Sequence, residues 1–205
     1  NTKVGGKYGC NFGVVADTGG FGRFTPAYFD VTKIDGCTGG GAFTYSGQPF
    51  SQVKVSAKAA GATVTRNYDG TLGFAKLVSL SDGGGAAAAG AFSPAVSGGF
   101  TAAGFVNGEQ TKTDVSYTFT AKETASLPLT LRAIDTDLVS SAGHTEDAAA
   151  IRSGRIRIAN AYGSELVALP VPMRAEYFSA DGWVTNGVDT CTALNDTILD
   201  LQNAI

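Results

Sequence analysis

The chain has 205 residues, of which 43% are hydrophobic and only 16% charged, with 28 glycines. That length holds one large or two small domains, and the apolar fraction is enough for a packed core, which excludes general disorder. The formal net charge of −3 and the scatter of the 15 basic residues exclude the basic stripe of a nucleic-acid binder and polybasic attraction to a membrane surface.

The opening residues, Asn1-Thr-Lys-Val-Gly-Gly, lack the pattern of a signal peptide, and residues 1–27 read as a lead-in. Period-2 alternation then recurs. Val53, Val55 and Ala57 alternate with Gln52, Lys54 and Ser56, and a strand, a bend at Gly61, a second strand through Val64 and a turn at Asp69-Gly70 make a hairpin. Gly83 to Gly99, rich in alanine and glycine with Pro94 inside, reads as an irregular loop. Val115, Tyr117 and Phe119 alternate with Asp114, Ser116, Thr118 and Thr120. Leu127 to Leu131 is a denser apolar segment, and Ser140 to Ala150 is a small, polar junction.

Beyond the junction, Ile156 and Ile158 alternate with Arg155 and Arg157, which puts the two arginines on one face of a strand, ordinarily a solvated one. Leu166 to Met173 is apolar but interrupted by Pro170 and Pro172, which cannot donate to a ladder, so it reads as an edge strand or one that changes sheets. Leu194, Ile198, Leu201 and Ile205 fall on one face of a possible closing helix. Asp-Gly and Asn-Gly turn pairs are spread along the whole length. The expectation is an all-β, immunoglobulin-like β-sandwich architecture in two β units: a sandwich over 28–142 and a second unit over 150–205, cut short at its C-terminus. No apolar run is long enough to span a bilayer.

The three cysteines, Cys10, Cys37 and Cys191, contain no Cys-x-x-Cys pair, which removes zinc and thioredoxin-like readings. Cys10 and Cys37 lie in glycine-flanked, small-residue segments suited to a loop disulfide, and a Cys10–Cys37 bridge is expected. Cys191 is then left with a partner beyond residue 205 or as a free thiol. The alternative is three reduced, buried thiols. Low charge and many turns favour the bridge and an extracytoplasmic setting.

Several blocks, read in order, resemble the C-terminal region of the MSHA (mannose-sensitive haemagglutinin) type IV pilus biogenesis protein Q family. They are Gly22-Arg-Phe-Thr-Pro-Ala-Tyr-Phe-Asp-Val31, Tyr45-Ser-Gly-Gln-Pro-Phe50, Ala59 to Gly70, Gly154 to Phe178, and Asp189-Thr-Cys-Thr192. The resemblance implies an exported module of a Gram-negative pilus or cell-surface assembly, with pilus or surface-assembly proteins as partners and no catalytic residues to carry over. Members continue well past the Asp-x-Cys-Thr block, which implies a fragment, a processed form or a shortened member.

The chemistry-bearing residues are few. The single histidine, His144, is flanked by Gly143, Thr145, Glu146 and Asp147, and no Gly-x-Ser-x-Gly elbow accompanies it. Asp135 and Asp137 are hard oxygen ligands that Ca2+ would take, yet the full calcium-loop pattern is missing and a turn cap explains them equally. Tyr177, Phe178 and Trp183 are the best candidates for stacking on sugar rings, against the ordinary reading as core fillers. The leading expectation is a structural or adhesive module that acts through surface and strand-edge contacts and is not an enzyme. Alternatives are a carbohydrate-binding module with glycan partners, and a secreted hydrolase centred on His144.

Overall fold

The computed structural model describes residues 3–4, 7–8, 25–94, 99–124, 128–164, 166–167 and 169–193, and structural statements below refer to these. The fold is all-β. In chain order the strands are β1 (Lys3–Val4), β2 (Lys7–Tyr8), β3 (Tyr28–Ile34), β4 (Thr44–Tyr45), β5 (Gln52–Lys58), β6 (Val78–Asp82) and β7 (Gly90–Ser93). They continue with β8 (Glu109–Lys112), β9 (Ser116–Phe119), β10 (Leu129–Asp135), β11 (Ala148–Ala149), β12 (Ile151–Arg152), β13 (Gly154–Ile158), β14 (Met173–Ser179) and β15 (Gly182–Thr185). Ala102–Gly104 forms a single 3-10 turn.

β3, β5 and β8 form one antiparallel sheet, with Phe29 opposite Ala57 and Val31 opposite Val55. β6 and β10 form a second, continued by β11. Alternation places Phe29, Val31, Val53, Val55 and Ala57 from the first sheet and Val78, Leu129, Leu131 and Ala133 from the second in one core, as in a β-sandwich. Phe100 and Phe105 add to it from the segment between β7 and β8, with no exposed surface. Burial of each such side chain contributes about 1.5–3 kcal/mol.

The segment ahead of β11 stitches the sheets together. The Val31 N–H donates to the Thr145 carbonyl at 2.8 Å, and the Leu131 N–H donates to the Asp147 carbonyl at 3.0 Å. β12 then runs parallel to β4.

Three elements differ from the sequence reading. The second strand expected through Val64 is reduced to a single bridge between Val64 and Lys58. β7 lies inside the alanine–glycine stretch and pairs with β9. It is a strand despite its small residues because close approach is what holds it. A Cβ on Gly90 would stand 2.5 Å from the Thr118 carbonyl oxygen, and the Phe92 ring packs edge-on to Tyr117 at 5.0 Å. The expected strand over 166–173 is absent among the described residues, and β14 opens at Met173, after Pro172. Pro170 and Pro172 have no N–H to give a ladder. The closing helix read at 194–205 lies outside the described residues.

β13, β14 and β15 make a separate antiparallel sheet. Its register sets Arg155 opposite Glu176, Arg157 opposite Arg174 and Phe178 opposite Trp183. Because opposed residues share a face, these six form one surface, and Ile156, Ala175, Tyr177 and Val184 form the other. β13 is an edge strand whose five residues are all exposed.

Candidate functional site

Two features stand out, a bonded seam between the sandwich and the second sheet, and an arginine-rich face on that sheet. The seam is built around a turn at residues 186–192. Asp189 Oδ1 accepts the backbone N–H groups of Cys191 (3.0 Å) and Thr192 (2.9 Å). Asp189 Oδ2 accepts the hydroxyls of Thr192 (2.6 Å) and Tyr45 (2.8 Å). An aspartate that bonds the backbone two and three residues on is a turn former, and the turn aims Cys191 at the sandwich.

Cys191 is disulfide-bonded to Cys37, with Cα atoms 5.5 Å apart. This corrects the Cys10–Cys37 expectation: a sulfur forms one disulfide, and that of Cys37 is taken. Cys37 exchanges backbone bonds with Phe43 (2.9 and 3.1 Å), closing a hairpin next to β4, and its side chain is fully buried. Cys10 lies outside the described residues. Cys37, Asp189 and Cys191 are the one His/Cys/Asp/Glu group with metal-ligand proximity among the described residues, and the disulfide removes both thiolates from it.

Tyr45 completes the seam. Its oxygen accepts from Asn186 Nδ2 at 2.6 Å, and Asn186 Oδ1 accepts from Arg152 Nη1 at 3.1 Å. The Arg152 guanidinium lies over both Phe43 and Tyr177, 4.6 and 4.8 Å from the ring centres. Burial pushes the Tyr45 phenol up to about 12, helped by the carboxylate of Asp189. Burial alone would raise Asp189, but the donated bonds of Thr192, Tyr45 and Cys191 outweigh it and hold the carboxyl below its ordinary value.

On the other face of the second sheet, Glu176 is buried under three arginines. Arg155 donates from Nε (2.8 Å) and Nη2 (2.7 Å) to Glu176 Oε2. Arg157 and Arg174 sit farther from Oε1, at 3.6 and 4.0 Å. The Glu176 side chain is 3% exposed, against 41%, 54% and 48% for Arg155, Arg157 and Arg174. The Arg155 bonds are the main reason the Glu176 carboxyl lies below the usual range. Arg155 also stacks 4.2 Å above Trp183. Lys122, from the loop after β9, lies 3.9 Å over Phe178 and 5.6 Å from Trp183. A cleft of about 470 Å³ opens between the units here, lined in part by Ser46, Thr120, Lys122, Ser153, Arg155 and Trp183.

The family model described as DUF6701, third domain, matches residues 12–156, and that of DUF6701, fourth domain, matches 152–205. The chain belongs to the DUF6701 family. No curated protein and no solved structure matches it. The Cys37–Cys191 disulfide therefore joins the third DUF6701 domain to the fourth, and the 470 Å³ cleft lies between residues of both.

The other candidates in this DUF6701 chain are spread apart. Asp135 Oδ1 accepts the N–H groups of Asp137 (2.9 Å) and Val139 (3.0 Å), and its Oδ2 accepts the Tyr68 hydroxyl at 3.0 Å, so this carboxylate shapes the turn after β10. His144 lies flat on Tyr28, ring centres 3.5 Å apart. Glu146, near it in sequence, is held instead by Arg132 (2.8 and 2.9 Å) and Ser141 (2.7 Å). Tyr177 faces the seam under Arg152, whereas Trp183 is on the opposite face beside Phe178. The pairing of Arg155 with Arg157 on one face follows from the alternation. Nothing local in the sequence marks Glu176, Arg174 or Lys122 as part of a site. The available signal was the matching length of 154–158 and 173–177, two segments that can pair as a hairpin.

No helix among the described residues is long and apolar enough to cross a membrane.

Proposed function

We propose that this chain is an exported structural or adhesive module of a cell-surface assembly related to the MSHA-type pilus, acting by surface and strand-edge contacts. The observation that carries this reading is the Cys37–Cys191 disulfide between two family domains. A covalent tie across a domain seam suits a part that must keep its shape outside the reducing cytosol. The exposed edge of β13 supports it, since an unpaired edge can accept a strand from a partner. So do the sequence blocks that resemble the pilus biogenesis family. In this reading the module is extracytoplasmic, its partners are pilus or surface-assembly proteins, and it carries out no bond chemistry. Shearing surface filaments from cells that produce the protein tests it: the chain should appear, oxidised, in the sheared or surface-labelled fraction. Recovery from the cytosol with all cysteines reduced would count against it.

A second reading, a carbohydrate-binding module, is supported by Trp183, which lines the inter-unit cleft with Phe178 packed beside it.

A further inference from the structure

We propose that the Arg155–Arg157–Arg174 face of the second sheet, with Lys122 and Trp183 at its end, binds the carboxylate groups of an acidic polysaccharide. The proposal rests on the carbohydrate-binding reading and sharpens it to an anionic ligand.

The charge count on this face is the first argument. Arg155, Arg157 and Arg174 are gathered around a single buried carboxylate, Glu176, with Lys122 at the aromatic end of the face, in a chain whose formal net charge is −3. Arg157 stands directly opposite Arg174 in the β13–β14 register. Like charges directly opposed across a ladder are destabilising. Glu176 relieves this only in part, because its close bonds go to Arg155 and it reaches Arg157 and Arg174 at 3.6 and 4.0 Å. Both side chains are about half exposed, and each guanidinium carries five N–H donors. A ligand carboxylate set between them would complete the charge pairing with the planar, bidentate geometry that arginine favours.

The second argument is the surface that adjoins these cations. Trp183, with Phe178 packed beside it, lies where Arg155 meets the 470 Å³ cleft, and Ser46, Thr120 and Ser153 lie on its sides. Arg155 covers part of Trp183, so a sugar ring would meet the rest of this partly exposed aromatic together with the small hydroxyl-bearing residues of the cleft wall, an apolar patch with a polar rim. Lys122 rests on the aromatic rings, and its ammonium has no carboxylate within salt-bridge distance among the described residues. The buried Glu176 holds Arg155 through two hydrogen bonds, and Arg155 is thereby placed over Trp183 before any ligand arrives. Nucleic acid would also meet cations and aromatics, but dense phosphates draw on many lysines and arginines at once. Here the cations number four, in a protein that is acidic overall.

The test uses the oxidised full chain immobilised for biolayer interferometry, with alginate as the carboxylated polysaccharide, dextran as the neutral one, and single-stranded DNA of similar length. Alginate should bind and weaken steeply between low and physiological salt. The double variant R157Q/R174Q should lose affinity at least about ten-fold, as two charge-assisted contacts are removed. W183A should also weaken binding, while melting temperatures show that both variants fold. Dextran binding equal to that of alginate, abolished by W183A and untouched by R157Q/R174Q, would overturn the anionic proposal and leave the carbohydrate-binding reading standing. Absence of binding to either polysaccharide would overturn both. DNA binding as strong as alginate binding would overturn the assignment to a saccharide.

Discussion

Tyr45 and Asp189, 144 positions apart in the chain, share a 2.8 Å hydrogen bond in which the phenol donates to the carboxylate. Tyr45 belongs to β4 of the sandwich, and Asp189 shapes the turn that carries Cys191. The same tyrosine oxygen accepts from Asn186 at 2.6 Å. Removing the hydroxyl leaves a half-buried carboxylate and a buried amide each short of one partner. Tyr45→Phe should therefore destabilise the oxidised protein by about 1–3 kcal/mol in urea unfolding. A change under about 0.5 kcal/mol, the range of ordinary surface substitutions, would mean that water replaces the phenol at no loss.

The disulfide should carry more. It closes a sequence separation of 154 residues, and constraint of so long a loop in the unfolded chain is worth about 2–4 kcal/mol or somewhat more. Cys191→Ser should lower stability by that order while the β signature of the circular dichroism spectrum survives. Peptide mapping without reduction should recover the Cys37 and Cys191 peptides joined. A Cys10–Cys37 peptide in their place would refute the pairing.

Acid should loosen the protein in a defined direction. Glu146 lies below its ordinary range chiefly through Arg132, Glu176 chiefly through Arg155, and Asp189 because donated hydrogen bonds outweigh burial. Unfolded carboxyls take up protons near pH 4, while these three stay ionised in the fold. The unfolded state then binds more protons, so stability falls as the pH drops. The contribution is whole at neutral pH and is lost progressively from about pH 4 downward, through the lower folded values. Thermal melts from pH 7 to pH 3 check this. In a Glu176→Gln variant the decline should be shallower and start from a lower melting temperature, because Arg157 and Arg174 then face each other without a carboxylate. An unchanged profile in that variant would show that Glu176 is not coupled to folding.

How legible this arrangement is in the sequence depends on how far apart its parts lie. Alternation within a strand is local, so Val53, Val55 and Ala57, or Arg155 and Arg157, reveal their common faces directly. The partner of Cys37 is invisible because nothing near residue 37 encodes a turn at 189, and flanking glycines at Cys10 suit a bridge equally well. Strand β7 is hard to read because Gly90 and Ala91 look like loop residues, whereas the missing side chain of Gly90 is what lets the backbone lie against Tyr117 and Thr118. Glu176 is inconspicuous because a single carboxylate on a strand is ordinarily solvated. Arg174 shares the face of Glu176, two positions away on β14, and the β13–β14 register, set across a proline-containing connection, adds Arg155 and Arg157.

Gly154 offers the sharpest check on the seam. It opens β13, and a Cβ placed there would stand 2.3 Å from Tyr45 Cδ1 and 2.6 Å from its Cε1. That ring has little room to move away. Its hydroxyl is bonded to both Asp189 and Asn186, and its edge meets Phe43 at 5.0 Å. Gly154→Ala should accordingly cost about 1–3 kcal/mol, the usual penalty for overfilling a packed site. It should add less than the full amount on top of Tyr45→Phe, since a ring freed from its hydrogen bonds can shift, and contacting residues are not additive. Gly187→Ala, in the same seam turn but with nothing within 4 Å of the added carbon, is the matched control and should be close to neutral. Equal effects of the two alanines, or strict additivity with Tyr45→Phe, would show that Tyr45 does not pack on the start of β13 and that the seam is looser than its hydrogen bonds imply.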